Sequence, residues 1–134
     1  MTELFIPYTQ ALALKELGFD EPCIMCYYGI SRDDKFDGLY LHTGTGKVCN
    51  THLKEEEDGI TAPLYQQAFK WFREKHNLNA EIQAPDGSNG KWNPTIHKIK
   101  GFGNYYDNDA FETYEEAELA CLKKLIEIVE PKSE

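Results

Sequence analysis

No stretch of this sequence approaches the roughly 20 consecutive apolar residues of a membrane-spanning helix, so a polytopic membrane protein is excluded. Basic residues are in deficit: 14 Lys and Arg against 23 Asp and Glu leave a net charge of −9 at pH 7. A field of that sign opposes duplex nucleic acid and anionic lipid, and neither is expected as a partner. The four cysteines are too few for a disulfide-stapled secreted scaffold. Six prolines and ten glycines, without a period, exclude collagen-like and low-complexity chains. Met1–Pro7 places no basic cluster before an apolar stretch, so no signal peptide is expected, and a cytoplasmic setting with reduced thiols follows.

What is present suits a globular fold. The 134 residues, 41% hydrophobic and 28% charged, are expected to form a single domain, 1–134. A chain of that length buries about two-thirds of its unfolded surface and needs neither metal nor disulfide to fold. Charge is unevenly spread. Residues 107–134 carry nine acids and three lysines, whereas residues 69–100 carry six bases and three acids. The middle segment is the locally basic part of an acidic chain.

Helical signals stand in three places. Tyr8 to Leu17 reads as a helix with Thr9 as its cap, closed by Gly18, with Phe19 folding back on Leu14 as in a Schellman ending. Ala62 to His76 reads as the second, with Thr61 as cap and Pro63 in the first turn. Its apolar face is Leu64, Ala68, Trp71 and Phe72, widened by Tyr65 and Phe69, and Lys70, Arg73, Lys75 and His76 suit the negative end of its dipole. In the third, Thr113 and Glu116 form a capping box, Ala117, Cys121, Leu125 and Ile128 make one stripe, and Pro131 ends it. Cys121 is thereby a core thiol.

Between the helices lie short β-like runs: Cys23–Tyr28, Leu39–His42, Ala80–Ala84, Lys91–Lys98 and Phe102–Tyr106. Pro94 implies an edge position or a bulge. The order α-β-β-α-β-β-β-α with short connections predicts an α+β fold, an antiparallel sheet of about five strands with three helices mainly on one face.

Two patterns carry chemistry. Cys23-Ile-Met-Cys26 and Cys49-Asn-Thr-His52 together offer the four soft ligands of a tetrahedral zinc site. In a continuous strand Cys23 and Cys26 would point to opposite faces, so the expectation is core cysteines and no cofactor, with a zinc-stabilised module as the alternative. The second pattern is a basic aromatic segment, in which Trp92, Phe102, Tyr105 and Tyr106 interleave with Lys91, His97, Lys98 and Lys100. Cations beside aromatic planes hold nucleotide-like anions. The candidate ligand set is Lys91, Trp92, His97, Lys98, Lys100, Tyr105 and Tyr106; the same residues also suit a sheet packed under helices.

Other motifs are weaker. Gly44-Thr45-Gly46-Lys47 fails as a phosphate loop, because Leu41 stands at the first glycine and Val48 at the hydroxyl position. Glu55, Glu56, Glu57 and Asp58 read as a solvated acidic run. No histidine among His42, His52, His76 and His97 is tied by a local motif to a nucleophile, so no catalytic residue is assigned.

Three stretches together resemble a group of small uncharacterised proteins of Bacteroidota and their phages. They are Tyr8-Thr9-Gln10-Ala11-Leu12 through Leu17-Gly18-Phe19 with Glu21-Pro22-Cys23; Ala62-Pro63-Leu64-Tyr65-Gln66-Gln67-Ala68-Phe69 with Trp71-Phe72-Arg73-Glu74-Lys75; and Tyr114-Glu115-Glu116-Ala117-Glu118 through Cys121-Leu122-Lys123-Lys124-Leu125-Ile126. The likeness covers about half the chain and carries no catalytic residue. It implies an accessory protein, phage- or host-encoded, in the bacterial cytoplasm. The expected function is non-enzymatic binding of a protein partner or a small ligand, with a nucleotide-like anion as the alternative, and the apolar helix faces allow a homodimer.

Overall fold

The first helix ends as its sequence requires. In the computed structural model, which describes residues 4–28, 39–41, 50, 59–85, 90–106 and 109–131, α1 spans Tyr8–Glu16. Gly18 takes φ +99°. Its N–H donates to Lys15 O at 3.1 Å and that of Phe19 to Leu14 O at 2.9 Å, the paired bonds of a Schellman motif. Leu14 and Phe19 are both buried. The N-cap is Pro7, with no side-chain cap, so Thr9 lies within the helix rather than before it.

The remaining elements are β1 (Met25–Tyr28), β2 (Leu39–Leu41), β3 (Gly59–Thr61), α2 (Tyr65–His76), β4 (Leu78–Gln83), β5 (Asn93–Lys98), β6 (Asn104–Tyr106) and α3 (Tyr114–Val129). The α+β class and the order of elements agree with the sequence. The strands are divided between two antiparallel sheets, ordered β2-β1-β3 and β4-β5-β6. The chain falls into two compact units, Met1–Leu64 and Tyr65–Glu134, each with one sheet.

The added strand is β3. Thr61 pairs with Cys26, and Ala62 N–H donates to Met25 O at 2.8 Å. Thr61 is therefore the end of a strand rather than a helix cap, and α2 begins at Tyr65. In the first unit Ile6, Ala11, Leu14, Phe19, Cys23, Cys26, Ile60 and Ala62 form the buried apolar set. Asn50 is buried among them. Its Nδ2 donates to Phe19 O at 2.7 Å and its Oδ1 accepts from Thr61 N–H at 2.9 Å. The Tyr27 hydroxyl donates to Ile6 O at 2.8 Å.

In the second unit α2 and α3 pack on each other and on β4, and α3 also packs on β5. Ala68, Phe69, Trp71 and Phe72 from α2 are buried, as are Leu78 and Ile96 from the sheet. From α3 the buried residues are Ala117, Glu118, Cys121, Leu122, Leu125 and Ile126. Thr113 caps the helix, with Glu116 N–H donating to Thr113 Oγ1 at 3.1 Å, while the Thr113 hydroxyl donates to Glu116 Oε1 at 3.2 Å. Leu122 and Ile126 are buried, while Ile128 is half-buried, so the stripe is rotated slightly from the expected one.

Pro94 sits inside β5, the central strand. The N–H groups of Trp92 and Lys98 donate toward Phe111 O and Gly103 O, on the β6 side. Position 94 has the same parity, so its missing donor falls where β6, ending at Tyr106, offers no partner. The proline costs the β4 ladder nothing.

Candidate functional site

Strand alternation gives the second sheet two unlike faces. Leu78, Pro94 and Ile96 are buried on the helix side. On the other side Asn79 pairs with His97, Glu81 with Thr95, and Gln83 with Asn93. His97 pairs with Asn104 on its second flank. Glu81, Gln83, Asn93, Thr95, His97 and Asn104 line an open cleft of about 420 Å³. Asn79 Nδ2 donates to Glu81 Oε1 at 3.0 Å. The lining offers amide, hydroxyl, imidazole and carboxylate groups and, among the described residues, holds no lysine or arginine.

A β-bulge completes this face. Ile96 pairs with Tyr106 but the next residue, His97, pairs with Asn104, leaving Tyr105 as the extra residue. In a regular strand, residues two apart such as Asn104 and Tyr106 share a side. With the bulge, Asn104 joins the cleft and Tyr106 turns toward the side of buried Ile96, as bulges re-aim side chains elsewhere.

The residues of the basic aromatic segment are thus separated. His97 lines the cleft. Trp92 packs edge-on against Tyr114 at the start of α3, with ring centroids 5.2 Å apart, and its backbone pairs with that of Phe111. The Tyr106 hydroxyl donates to Asp109 Oδ2 at 2.7 Å, and burial, then this bond, raises its pKa. Lys91 forms an exposed ion pair with Glu112 at 3.3 Å. Lys98 lies over the Tyr105 ring at 5.9 Å, and Lys100 is exposed at the hairpin tip. Only Lys98, Lys100 and Tyr105, with the exposed Phe102, share the tip.

Sequence reasoning singled out His97 but passed over Glu81, Gln83, Asn93, Thr95 and Asn104. A signal was available. Polar residues stand at every second position, Asn79-Glu81-Gln83 and Asn93-Thr95-His97, marking one face of each strand as hydrophilic. Asn104 gave none, because its face depends on the bulge.

Of the soft-ligand set, Cys23 and Cys26 are buried in the first unit, whereas Cys49 and His52 lie outside the described residues. Cys23 precedes β1, which starts at Met25, and its Sγ donates to Glu21 O at 3.4 Å. The alternation argument against joint ligation therefore does not apply to it. Among the described residues no three His, Cys, Asp or Glu side chains gather as a metal cluster. The Gly44–Lys47 loop, the Glu55–Asp58 run and His42 also lie outside the described residues.

Three further titratable groups belong to the helices. Glu118 is 8% exposed; burial, then the neighbouring Glu115 carboxylate, pushes its pKa up to about 7 against the lowering effect of a hydrogen bond from Tyr114. Burial, then Glu118, raises the Cys121 thiol to about 12, which keeps it protonated and unreactive. His76 packs 4.8 Å from the Trp71 ring, and burial lowers its pKa. Among the described residues no helix is long and apolar enough to cross a membrane. Comparison of the chain with family models, curated proteins and solved structures finds no match.

Proposed function

We propose that the protein is a non-enzymatic accessory binding protein of phage or mobile-element type, acting in the bacterial cytoplasm. Its second unit holds a small, uncharged, hydrogen-bonding ligand on the open face of the β4-β5-β6 sheet. The cleft of about 420 Å³ lined by Glu81, Gln83, Asn93, Thr95, His97 and Asn104 carries this reading. A volume of that order suits a small molecule. The lining has donors and acceptors for a polar ligand and, among the described residues, no lysine or arginine to neutralise a phosphate. Calorimetric titration with nucleosides, mono- and disaccharides and amino-acid amides tests it, with mononucleotides as the anionic comparison. Saturable binding of a neutral compound, weakened about tenfold or more by Gln83→Ala and His97→Ala, is expected, since a lost hydrogen bond in a site is worth about 1–3 kcal/mol. Binding of mononucleotides alone, abolished by Lys98→Ala, would move the ligand to the basic aromatic segment. No binding across the panel would leave the protein-partner role.

One observation favours a second reading, the zinc-stabilised module of Cys23, Cys26, Cys49 and His52. Asn50, which stands between Cys49 and His52 in the chain, is buried and bonded to Phe19 O and Thr61 N–H. Thr61 is the register partner of Cys26, so the chain at Asn50 is tied directly to the strand beside that cysteine. Elemental analysis of purified protein decides between a structural metal and core thiols. About one zinc per chain, lost in Cys49→Ser, would establish the module; metal-free folded protein would dismiss it.

A further inference from the structure

The hairpin between β5 and β6 exposes an aromatic ring at its tip. Phe102 is 101% exposed, and Ile99 and Tyr105 are 48% and 39% exposed. Burial of such groups is the ordinary driving force of folding, so a wholly exposed ring on a structured hairpin calls for a partner.

The tip is built to hold that ring in place. Asn77 follows α2 in the left-handed conformation, at φ +59°. Its Oδ1 accepts from Lys100 N–H and its Nδ2 donates to Lys100 O, both at 3.0 Å. The Asn77 carbonyl accepts from Ile99 N–H at 3.1 Å, and Lys98 N–H donates to Gly103 O at 2.9 Å. Gly101 and Gly103, at φ +97° and +159°, let the chain reverse around Phe102. A ring presented by a preformed loop loses little further freedom on binding.

The cations there are uncommitted. Lys70, Lys91 and Lys124 each form an ion pair, whereas among the described residues neither Lys98 nor Lys100 does. Lys98 instead sits 5.9 Å above the Tyr105 ring. In a chain of net charge −9, the tip thus combines one free aromatic plane, a second ring beside a cation, and two ammonium groups.

We infer that the Lys98–Tyr105 hairpin tip is a stacking site for single-stranded nucleic acid, with a base on Phe102 and flanking phosphates on Lys98 and Lys100. An unpaired base presents the planar face the ring needs, and stacking tolerates any base. A duplex hides those faces and brings a dense row of phosphates against the acidic remainder of the chain. An anionic membrane meets the same repulsion, with only Phe102 and Ile99 to insert. The site is independent of the polar cleft, which lies on the sheet face and, among the described residues, has no lysine or arginine in its lining.

The test is fluorescence anisotropy of the full chain with labelled dT and rU octamers at stepped salt. Two phosphate contacts predict a slope of about −1.4 in log K against log salt, at about −0.7 per contact for single strands. Phe102→Ala is expected to weaken binding about tenfold and Phe102→Trp to restore it. The double variant Lys98→Ala/Lys100→Ala should flatten the salt slope toward zero. Gln83→Ala, which disables the cleft, should leave octamer binding unchanged, so the two sites fail separately. Unchanged tryptophan fluorescence and circular dichroism show that each variant is folded, as expected for positions that are exposed or, at Lys98, half-buried. No octamer binding at low salt, or binding indifferent to Phe102→Ala, overturns the inference. So does self-association lost in Phe102→Ala without octamer binding, which would make the tip a protein contact.

Discussion

Glu118 makes the stability of the second unit fall as pH rises. Its carboxyl titrates at about 7 in the folded protein against an ordinary 4.5, chiefly because burial disfavours the charged form. Between those values the native state holds a proton that the unfolded chain has released. Native Glu118 therefore binds more protons, and the stability it contributes is lost as pH climbs from about 4.5 to about 7. That gap corresponds to at most about 3 kcal/mol at 1.36 kcal/mol per pH unit, and partial access of water reduces it to roughly 1–2 kcal/mol. Glu118→Gln keeps the shape and removes the titration. Urea unfolding at steps from pH 4.5 to 8 reads the effect, because both tryptophans, Trp71 and Trp92, lie in the unit that holds Glu118. Titrations common to both proteins cancel in the difference. Relative to wild type, the variant should gain about 1–2 kcal/mol between the two ends of that range, with the change centred near pH 6. A difference that is flat with pH, or that turns against the variant as pH rises, would refute the reasoning.

Substitutions at three other positions test packing and capping. Leu125 is wholly buried on α3, so Leu125→Ala should cost about 2–5 kcal/mol in urea unfolding; a cost under 1 would mean that the stripe does not face a core. Asn50→Ala removes both the donor to Phe19 O and the acceptor for Thr61 N–H. Leaving those buried groups unpaired should cost roughly 2–4 kcal/mol, read by thermal melting, while the isosteric Asn50→Asp, which keeps only the acceptor, should also destabilise. Thr113→Ala loses the cap on Glu116 N–H and should cost about 1 kcal/mol, with the first turn of α3 exchanging its amide protons faster.

The helices were legible because their signals are local. Gly18 and the Leu14–Phe19 contact fix the end of α1 within six residues of sequence, and the Thr113–Glu116 box fixes the start of α3 within four. The strand β3 was not legible in the same way. Gly59-Ile60-Thr61 is too short to show alternation, and what makes it a strand is the distant pairing of Thr61 with Cys26 and the side chain of Asn50. With Thr61 committed to that ladder, its value as a helix cap disappears and α2 starts later. Division of the strands into two sheets is likewise a matter of long-range pairing, on which the order of elements along the chain is silent. Glu118 was not singled out in the sequence, although its spacing of three, four and seven residues from Cys121, Leu122 and Leu125 places it on the buried stripe.

The candidate site shows most clearly where sequence reasoning stops. Composition treats residues 91–106 as one surface, and the sheet turns it into three. Trp92 and Tyr106 serve the helix side, His97 and Asn104 the open polar face, and Lys98, Lys100, Phe102 and Tyr105 the hairpin tip. Two backbone features make the division: the alternation of β5 and the single-residue bulge at Tyr105. A regular ladder through the same residues, without the bulge, would put Asn104 and Tyr106 on a common side, placing either an amide in the core or a tyrosine in the cleft. The same bulge therefore protects the packing beneath α3 and completes the polar lining above it. Core and site are specified together, by a register that neither set of side chains reveals alone.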